Sequence, residues 1–410
     1  MDEIDIPQYF LCPISLQIMK DPVTIVTGIT YDRESIEQWL KTAEAAASPA
    51  VCPVTKQPLS LDSDLTPNHM LRRLIQAWCV ANAKNGVERI PTPKSPLQRS
   101  LILKLIRNVN NRSDGLLNLS ALKKLEELVN ESERNKKSMA DAGVAKAMMS
   151  FILRCFKDCK TLGLDQALTI LLLTWTPNAE NKQIVEDNPG LIRSIFWVLE
   201  TQVENTSKTQ SLIVLKNVIE VASPSFIERL EPNFSEKVVK LLRKNISPQA
   251  TRAILRTLIK TCQVGGNKLK IIESGAVYDL IEMELCNPEK RTTDLIFCLL
   301  ANLCTCADGR QQLLKHAGGI AVAAKRLLRV SAATDDRVLC ILELIARFSA
   351  TSEVVFEMLR VGGVSKLCMV LQADCEDYLK KKAREILRLH SNVWSNSPCI
   401  QIYLLTRYAR

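Results

Sequence analysis

The 410 residues are 47% apolar and 24% charged, an ordinary globular balance, and the length suits two to three domains or one small domain plus a repeat array. No apolar run reaches the roughly 18 to 20 residues that a membrane-spanning helix needs; Ala167 to Trp175 and its neighbours fall short. The net charge of +10 is uneven: residues 1 to 80 carry 6 Lys/Arg against 10 Asp/Glu, and the remainder 48 against 34. The basic residues are interleaved with acids, and only 5% of the chain is aromatic, without a stacking cluster. That pattern fits a solvated helical surface better than a nucleic-acid interface. The 14 cysteines follow no disulfide framework and nothing at the front reads as a secretory signal. The expected setting is therefore reducing and cytoplasmic, with nuclear entry left open. Cys298, Cys340 and Cys368 sit inside apolar runs and are expected to be small core residues.

In chain order, the first landmarks come as a pair. Cys12-Pro13-Ile14-Ser15 is matched by Cys52-Pro53-Val54-Thr55. A tetrahedral zinc site would want a second thiolate two residues after each first cysteine. Ser15 and Thr55 stand there instead, poor zinc ligands but competent hydrogen-bond partners. The outline is that of two braced loops with no metal and no cofactor, and Cys12 and Cys52 read as loop-core residues rather than nucleophiles. Between the loops, β-branched Val23 to Val26 and the turn at Thr27-Gly28 predict a short hairpin. Asp32 is placed to N-cap the next helix, with Glu34 in its first turn. Along that helix Ile36, Trp39 and Leu40 share one face, of which so small a domain can bury only part. Pro67-Asn68 opens a second helix whose expected apolar stripe is Leu71, Leu74, Ile75 and Trp78.

These residues carry a resemblance. Phe10 to Leu16, Met19-x-Asp-Pro-Val23, Gly28-x-Thr-Tyr-Asp-Arg33, Trp39-Leu40, Cys52-Pro-Val-Thr55 and Leu65-x-Pro-Asn-x-x-Leu-Arg-x-Leu-Ile75 together are similar to a U-box, the zinc-free relative of the RING domain. The match covers about 70 of the 410 residues in six ordered blocks. It implies a RING-type ubiquitin ligase that binds a ubiquitin-conjugating enzyme. Carried over position by position, the docking groove would use Ile14 and Leu16 from the first loop, Trp39 from the helix and Pro53 from the second loop. For Trp39 the alternative is a core tryptophan; Ile36 and Leu40 can supply the buried face without it. Lys56 holds the position of a cation that bridges the conjugating enzyme and its ubiquitin, where arginine is frequent in the family. Lysine is a point charge without the fork of donors. The acidic front suits a partner with a basic face.

Residues 81 to 100 read as a linker, with Asn85-Gly86 and then Pro91, Pro93 and Pro96 interrupting any helix. Thr92-Pro93 and Ser95-Pro96 are either proline-directed phosphorylation sites or plain linker residues. Beyond it the pattern is helical and repetitive. Small-residue corners recur at Gly143, Gly190, Gly275, Gly318 and Gly362, with a degenerate one at Glu231-Pro232-Asn233. A spacing near 43 with helices throughout is the armadillo/HEAT signature, for which about six units are expected, one of them irregular at 200 to 245. Each corner needs positive φ or close backbone approach, which glycine permits. Lys380-Lys381-Lys382 reads as a solvated helix face.

The predicted fold is mostly α: a small α+β U-box over 1–80, a linker over 81–100, armadillo-like repeats over 101–376 forming an α-solenoid, and a helical cap over 377–410. That layout resembles the plant U-box-armadillo ubiquitin ligases, in particular the branch that damps immune and stress signalling. The resemblance implies partners of two kinds, a conjugating enzyme charged with ubiquitin and a protein substrate on the repeats; homo-oligomerisation is left open. Transfer would need no covalent ligase intermediate, since the U-box acts by positioning. The alternative is an armadillo adaptor whose U-box is inactive. Hydrolase chemistry is disfavoured, because His69, His316 and His390 accompany no nucleophile motif. Trp175, Trp197 and Trp394 do not keep the single period of an import-receptor ladder.

Overall fold

The computed structural model describes residues 6–45, 49–59, 65–85, 87, 97–111, 115–201 and 204–408. The chain divides into two compact units, 1–96 and 97–410. Thr92, Ser95 and the linker prolines lie outside the described residues.

The first unit is built on a hairpin of β1 (Pro22–Thr24) and β2 (Thr30–Asp32), paired antiparallel with Val23 opposite Tyr31. Gly28, at φ 81°, makes the turn that only a residue without Cβ enters freely. Helix α1 (Arg33–Ala45) follows, then β3 (Thr66–Pro67), which adds to the free edge of β1, and α2 (His69–Ala81). Asn68 accounts for that third strand. Its backbone N–H donates to Pro22 O, its Oδ1 caps α2 by accepting from Leu71 N, and its amide reaches the Thr24 and Thr30 hydroxyls. One side chain thus fixes both the helix start and the hairpin.

The expected cap at Asp32 is not made. Among the described hydrogen bonds its carboxylate accepts from Lys20 N and Asp21 N, so it ties down the first loop instead. Ile36 and Leu40 fill the core beneath α1, together with Phe10, Met19, Val23, Tyr31 and Ile75. The stripe predicted on α2 is narrower than expected: Ile75 and Cys79 are buried, Leu71 and Trp78 partly so, and Leu74 faces outward. A core of this size covers only one edge of each helix.

The second unit opens with α3 (Arg99–Asn110) and continues in triplets. These are α4 (Gly115–Glu131), α5 (Glu133–Asp141) and α6 (Val144–Asp158); then α7 (Leu164–Thr174), α8 (Ala179–Asp187) and α9 (Gly190–Glu200). Next come α10 (Asn205–Val221), α11 (Pro224–Glu228) and α12 (Phe234–Arg243), then α13 (Pro248–Thr261), α14 (Asn267–Glu273) and α15 (Ala276–Leu285). The last two triplets are α16 (Lys290–Cys304), α17 (Ala307–Lys315), α18 (Gly319–Arg326) and α19 (Ala332–Phe348), α20 (Ser352–Arg360), α21 (Gly363–Gln372). Helices α22 (Asp377–Leu389), α23 (Ser391–Trp394) and α24 (Pro398–Tyr408) end the stack. Among the described residues no helix is long and apolar enough to cross a membrane. The irregular stretch at 200 to 245 keeps its three helices; only α11 is cut short, to five residues.

The corner glycines solve the same turn in two ways. Gly143, Gly275 and Gly362 are left-handed, as expected, at φ between 77° and 84°. Gly190 and Gly318 are not: Gly318 has φ −91°, and it is Gly319 that matters, since a Cβ there would stand 2.1 Å from Leu313 O. Positive φ also closes several third helices, at Cys159, Asn245, Asn287 and Leu328. Asparagine tolerates that region because its amide bonds locally. Cys368 is buried, but Cys298 and Cys340 are half-buried rather than core residues. Lys382 is not free in solvent either. Its Nζ lies 2.7 Å from Asp336 and 3.3 Å from Cys340 Sγ, on the preceding first helix.

Candidate functional site

The two cysteine loops have one construction. Each spells Cys-Pro-(Ile/Val)-(Ser/Thr)-x-Gln, over 12–17 and 52–57. In the first, Cys12 N donates to Gln17 O at 2.8 Å and Leu16 N to Cys12 O at 2.8 Å. In the second, Cys52 N donates to Gln57 O at 2.8 Å and Lys56 N to Cys52 O at 2.9 Å. Isolated bridges, Leu11 with Ile18 and Val51 with Pro58, close each loop at its neck. The fifth residue of each is left-handed, Leu16 at φ 56° and Lys56 at φ 59°. That backbone costs a side chain about 1–2 kcal/mol, so the loops hold both residues against a local preference. The repeated hexapeptide was visible in the sequence, but its shared left-handed position was not.

Hydrogen bonds converge on the two sulfurs where a RING-like site would hold metal, and among the described residues no group of three or more His, Cys, Asp or Glu is arranged for a metal ion. Cys12 and Cys52 are both fully buried. Strand β2 serves both, one sulfur through a backbone N–H and the other through a side chain. Asp32 N donates to Cys12 Sγ at 3.3 Å, and the Tyr31 hydroxyl meets Cys52 Sγ at 3.1 Å. Tyr31 Oη also accepts Val54 N at 3.3 Å, which leaves its O–H able to donate to the sulfur. Thr55 N donates to Cys52 Sγ at 3.4 Å and the Thr27 hydroxyl lies 3.5 Å away. A salt-bridged knot secures the base of the first loop: Asp21 takes Arg33 Nε at 2.6 Å and lies 3.5 Å from Arg72 of α2.

Burial by itself pushes both thiols up. For Cys12 the N–H groups of Ser15, Asp32 and Ile14 outweigh it and the net shift is downward. For Cys52 the donors from Thr27, Thr55 and Tyr31 prevail, taking it from 9.0 to about 6. Tyr31 is driven the other way, by burial first and then by its bond to the Cys52 sulfur. A depressed folded-state value stabilises the fold above the unfolded value and loses that contribution as pH falls through about 6. The expected result is a thiolate absorbance step with a midpoint near 6 in the wild type that Cys52→Ser removes. The stability of the first unit should rise between that pH and about 9, and the serine variant should lack the rise.

Trp39 is 38% exposed, with Ile36 and Leu40 buried beside it on α1. Its Nε1–H donates to Val51 O at 2.9 Å, which ties the indole to the neck of the second loop. Leu16 is 75% exposed, while Ile14 and Pro53 are half-buried and Lys56 and Ser15 are exposed. Val54, which the sequence reading passed over, is 50% exposed beside Pro53. Its equivalence to Ile14 in the repeated hexapeptide was the signal for it. The arrangement is two rigid loops and one anchored indole offering apolar side chains to solvent, with a lysine on the second loop held by a fixed backbone. No nucleophile with a base belongs to this set.

Comparison with known proteins bears on each unit. A model of the U-box domain matches residues 6–84, and one of the plant U-box protein ARM repeat region matches residues 102–410. The Arabidopsis thaliana E3 ubiquitin-protein ligase PUB24 is 41% identical, over 99% of this chain and 96% of that protein. PUB23 of the same plant is 41% identical over 99% and 98%, and PUB22 is 38% identical over 99% of both. Among solved structures, an engineered protein aligns with TM-score 0.53 at 18% identity, over 70% of this chain and 68% of that one, a likeness of fold alone.

Proposed function

The chain belongs to the plant family of U-box E3 ubiquitin-protein ligases with ARM repeats, and from that premise we propose that it docks a ubiquitin-charged conjugating enzyme on its paired loops. The observation that carries this reading is the exposed indole of Trp39, held by Val51 O beside loops that expose Leu16 and Val54. Ile14 and Pro53 complete the contact. A patch this small suits a weak, transient encounter. Lys56 then bears on the bound ubiquitin, and the substrate lysine attacks the thioester while the U-box holds it in order. That is catalysis by positioning, without a ligase-bound intermediate. The ARM repeats recruit the substrate. The resemblance noted in the sequence extends this reading to a role in damping plant immune and stress signalling, carried out in the cytoplasm.

The test is a purified self-ubiquitination reaction with a panel of conjugating enzymes. The wild-type protein is expected to build chains with at least one of them and to bind no stoichiometric zinc. Inertness with every enzyme would favour the reading in which the repeats work as an adaptor and the U-box is silent.

A further inference from the structure

We propose that Tyr31 is a positioning residue for ubiquitin transfer, setting the second loop so that Lys56 is aimed, while the first loop and Trp39 supply most of the affinity independently of it. This rests on the ligase reading above and specifies how one half of that site is held.

The two loops share a construction but differ in what pins them. In the first, Cys12 Sγ receives the backbone N–H of Asp32. No substitution of a side chain removes that donor. In the second, one phenol does the corresponding work at two points, bonding to Cys52 Sγ and accepting Val54 N. Those points flank Pro53, and Lys56 follows two residues later in a left-handed backbone at φ 59°. A strained residue keeps its geometry only while its surroundings over-determine it. Among the described residues, the remaining hydrogen bonds of 52–57 run within the loop, such as Cys52 N to Gln57 O and Lys56 N to Cys52 O, while Trp39 of α1 holds its neck at Val51 O. Apart from the contact with the Thr27 hydroxyl, Tyr31 is therefore what couples this loop to the hairpin. The Tyr31 ring is fully buried in the core, so phenylalanine preserves the packing and removes only the hydroxyl. Ile14 and Leu16, on the first loop, and the α1 backbone under Trp39 are left as they are.

The separation can be measured with Tyr31→Phe in the full chain. Conjugating-enzyme affinity is expected to fall by only about three-fold, because Val54 and Pro53 lose their pin while Ile14, Leu16 and Trp39 keep independent ties. Single-turnover discharge of the ubiquitin thioester should fall about ten-fold or more, as misplacing a group by about 1 Å can cost 10²-fold. If Tyr31 acts through Lys56, the phenylalanine change should add little in a Lys56→Ala background. Hydrogen exchange should quicken at the amides of Cys52, Val54, Thr55 and Lys56 and stay unchanged at Cys12 and Leu16. Equal losses in affinity and discharge, full additivity with Lys56→Ala, or unchanged exchange across the second loop would each overturn the proposal. Exchange is read without any transfer reaction. A wild-type protein that discharges no thioester would therefore sink the ligase reading, while the exchange data judged the loop pin separately.

Discussion

Replacing Trp39 by alanine is expected to abolish ubiquitin-chain formation while leaving the protein folded. The indole is the large apolar side chain of α1 that reaches solvent, and Ile36 and Leu40 carry the buried contacts of that helix. Truncation therefore leaves the core intact and frees only Val51 O, whose lost partner is an exposed indole N–H. Aromatic anchors at the centre of a contact are worth about 2 kcal/mol or more, roughly a thirty-fold loss of affinity, which a weak encounter cannot absorb. Ile14→Ala should act in the same direction with a smaller effect, since Ile14 is half-buried against the core and presents less area. Trp39→Phe should fall between, keeping an aromatic face without the hydrogen bond. Conjugating-enzyme titration and chain formation, read alongside circular dichroism, decide the matter. Wild-type rates from a folded alanine variant would remove the groove from the site.

Arg326→Ala is expected to cost about 3–5 kcal/mol locally, the usual effect of stripping one member from a buried ion pair. Glu284, at the end of α15, is 2% exposed, and Arg326 Nε of α18 is its ionic partner across the repeat boundary. The guanidinium also reaches Asn287 Oδ1 at 2.9 Å, and Thr293 donates to Glu284 Oε1 at 3.3 Å. The other carboxylate oxygen has no hydrogen-bond partner among the described residues. Burial raises the Glu284 carboxyl above its ordinary value in spite of the arginine beside it. A raised carboxyl binds its proton more tightly when folded, so its stabilising effect is present at low pH and lost as pH rises through the folded value. Without Arg326 the carboxyl must rise further, and the deficit of the variant should therefore shrink as pH falls. Glu284→Gln in the same background should recover part of the loss at neutral pH, since it removes the unpaired charge. Repeat arrays need not unfold in one step, so protection of α15 and α18 against hydrogen exchange is the measurement of choice. A loss below about 1 kcal/mol would show the boundary to be held by apolar contact alone.

These two residues also mark where the sequence could be read. The exposure of Trp39 was legible in part: with Ile36 and Leu40 on the same face, a domain too small to bury all three leaves one of them exposed, but the spacing does not say which, and the resemblance to the U-box singled out the tryptophan. Glu284 and Arg326 are 42 positions apart, and nothing in either neighbourhood announces the pair. Asp32 shows the same limit from the other side. Its place before a helix predicts a cap, but the backbone N–H groups of Lys20 and Asp21 reach its carboxylate in the folded unit. Leu74 keeps the helical period of its stripe and is nonetheless exposed, because the period fixes a face and not how much of that face a neighbour covers.

From the residues alone came whatever is decided within a few positions of the chain: the paired loops, the hairpin, the Asn68 start of α2, and the helical repeat with its small-residue corners. Local sterics, capping and periodicity act over those distances and leave their trace in composition. Tertiary structure chose the partners. It gave Tyr31 to Cys52 and Asp32 to Cys12, turned Lys382 toward Asp336, and let Gly319 rather than Gly318 take the crowded position. Such hydrogen bonds and close approaches join atoms brought together only by packing, and a buried donor or acceptor accepts whichever partner the packing supplies.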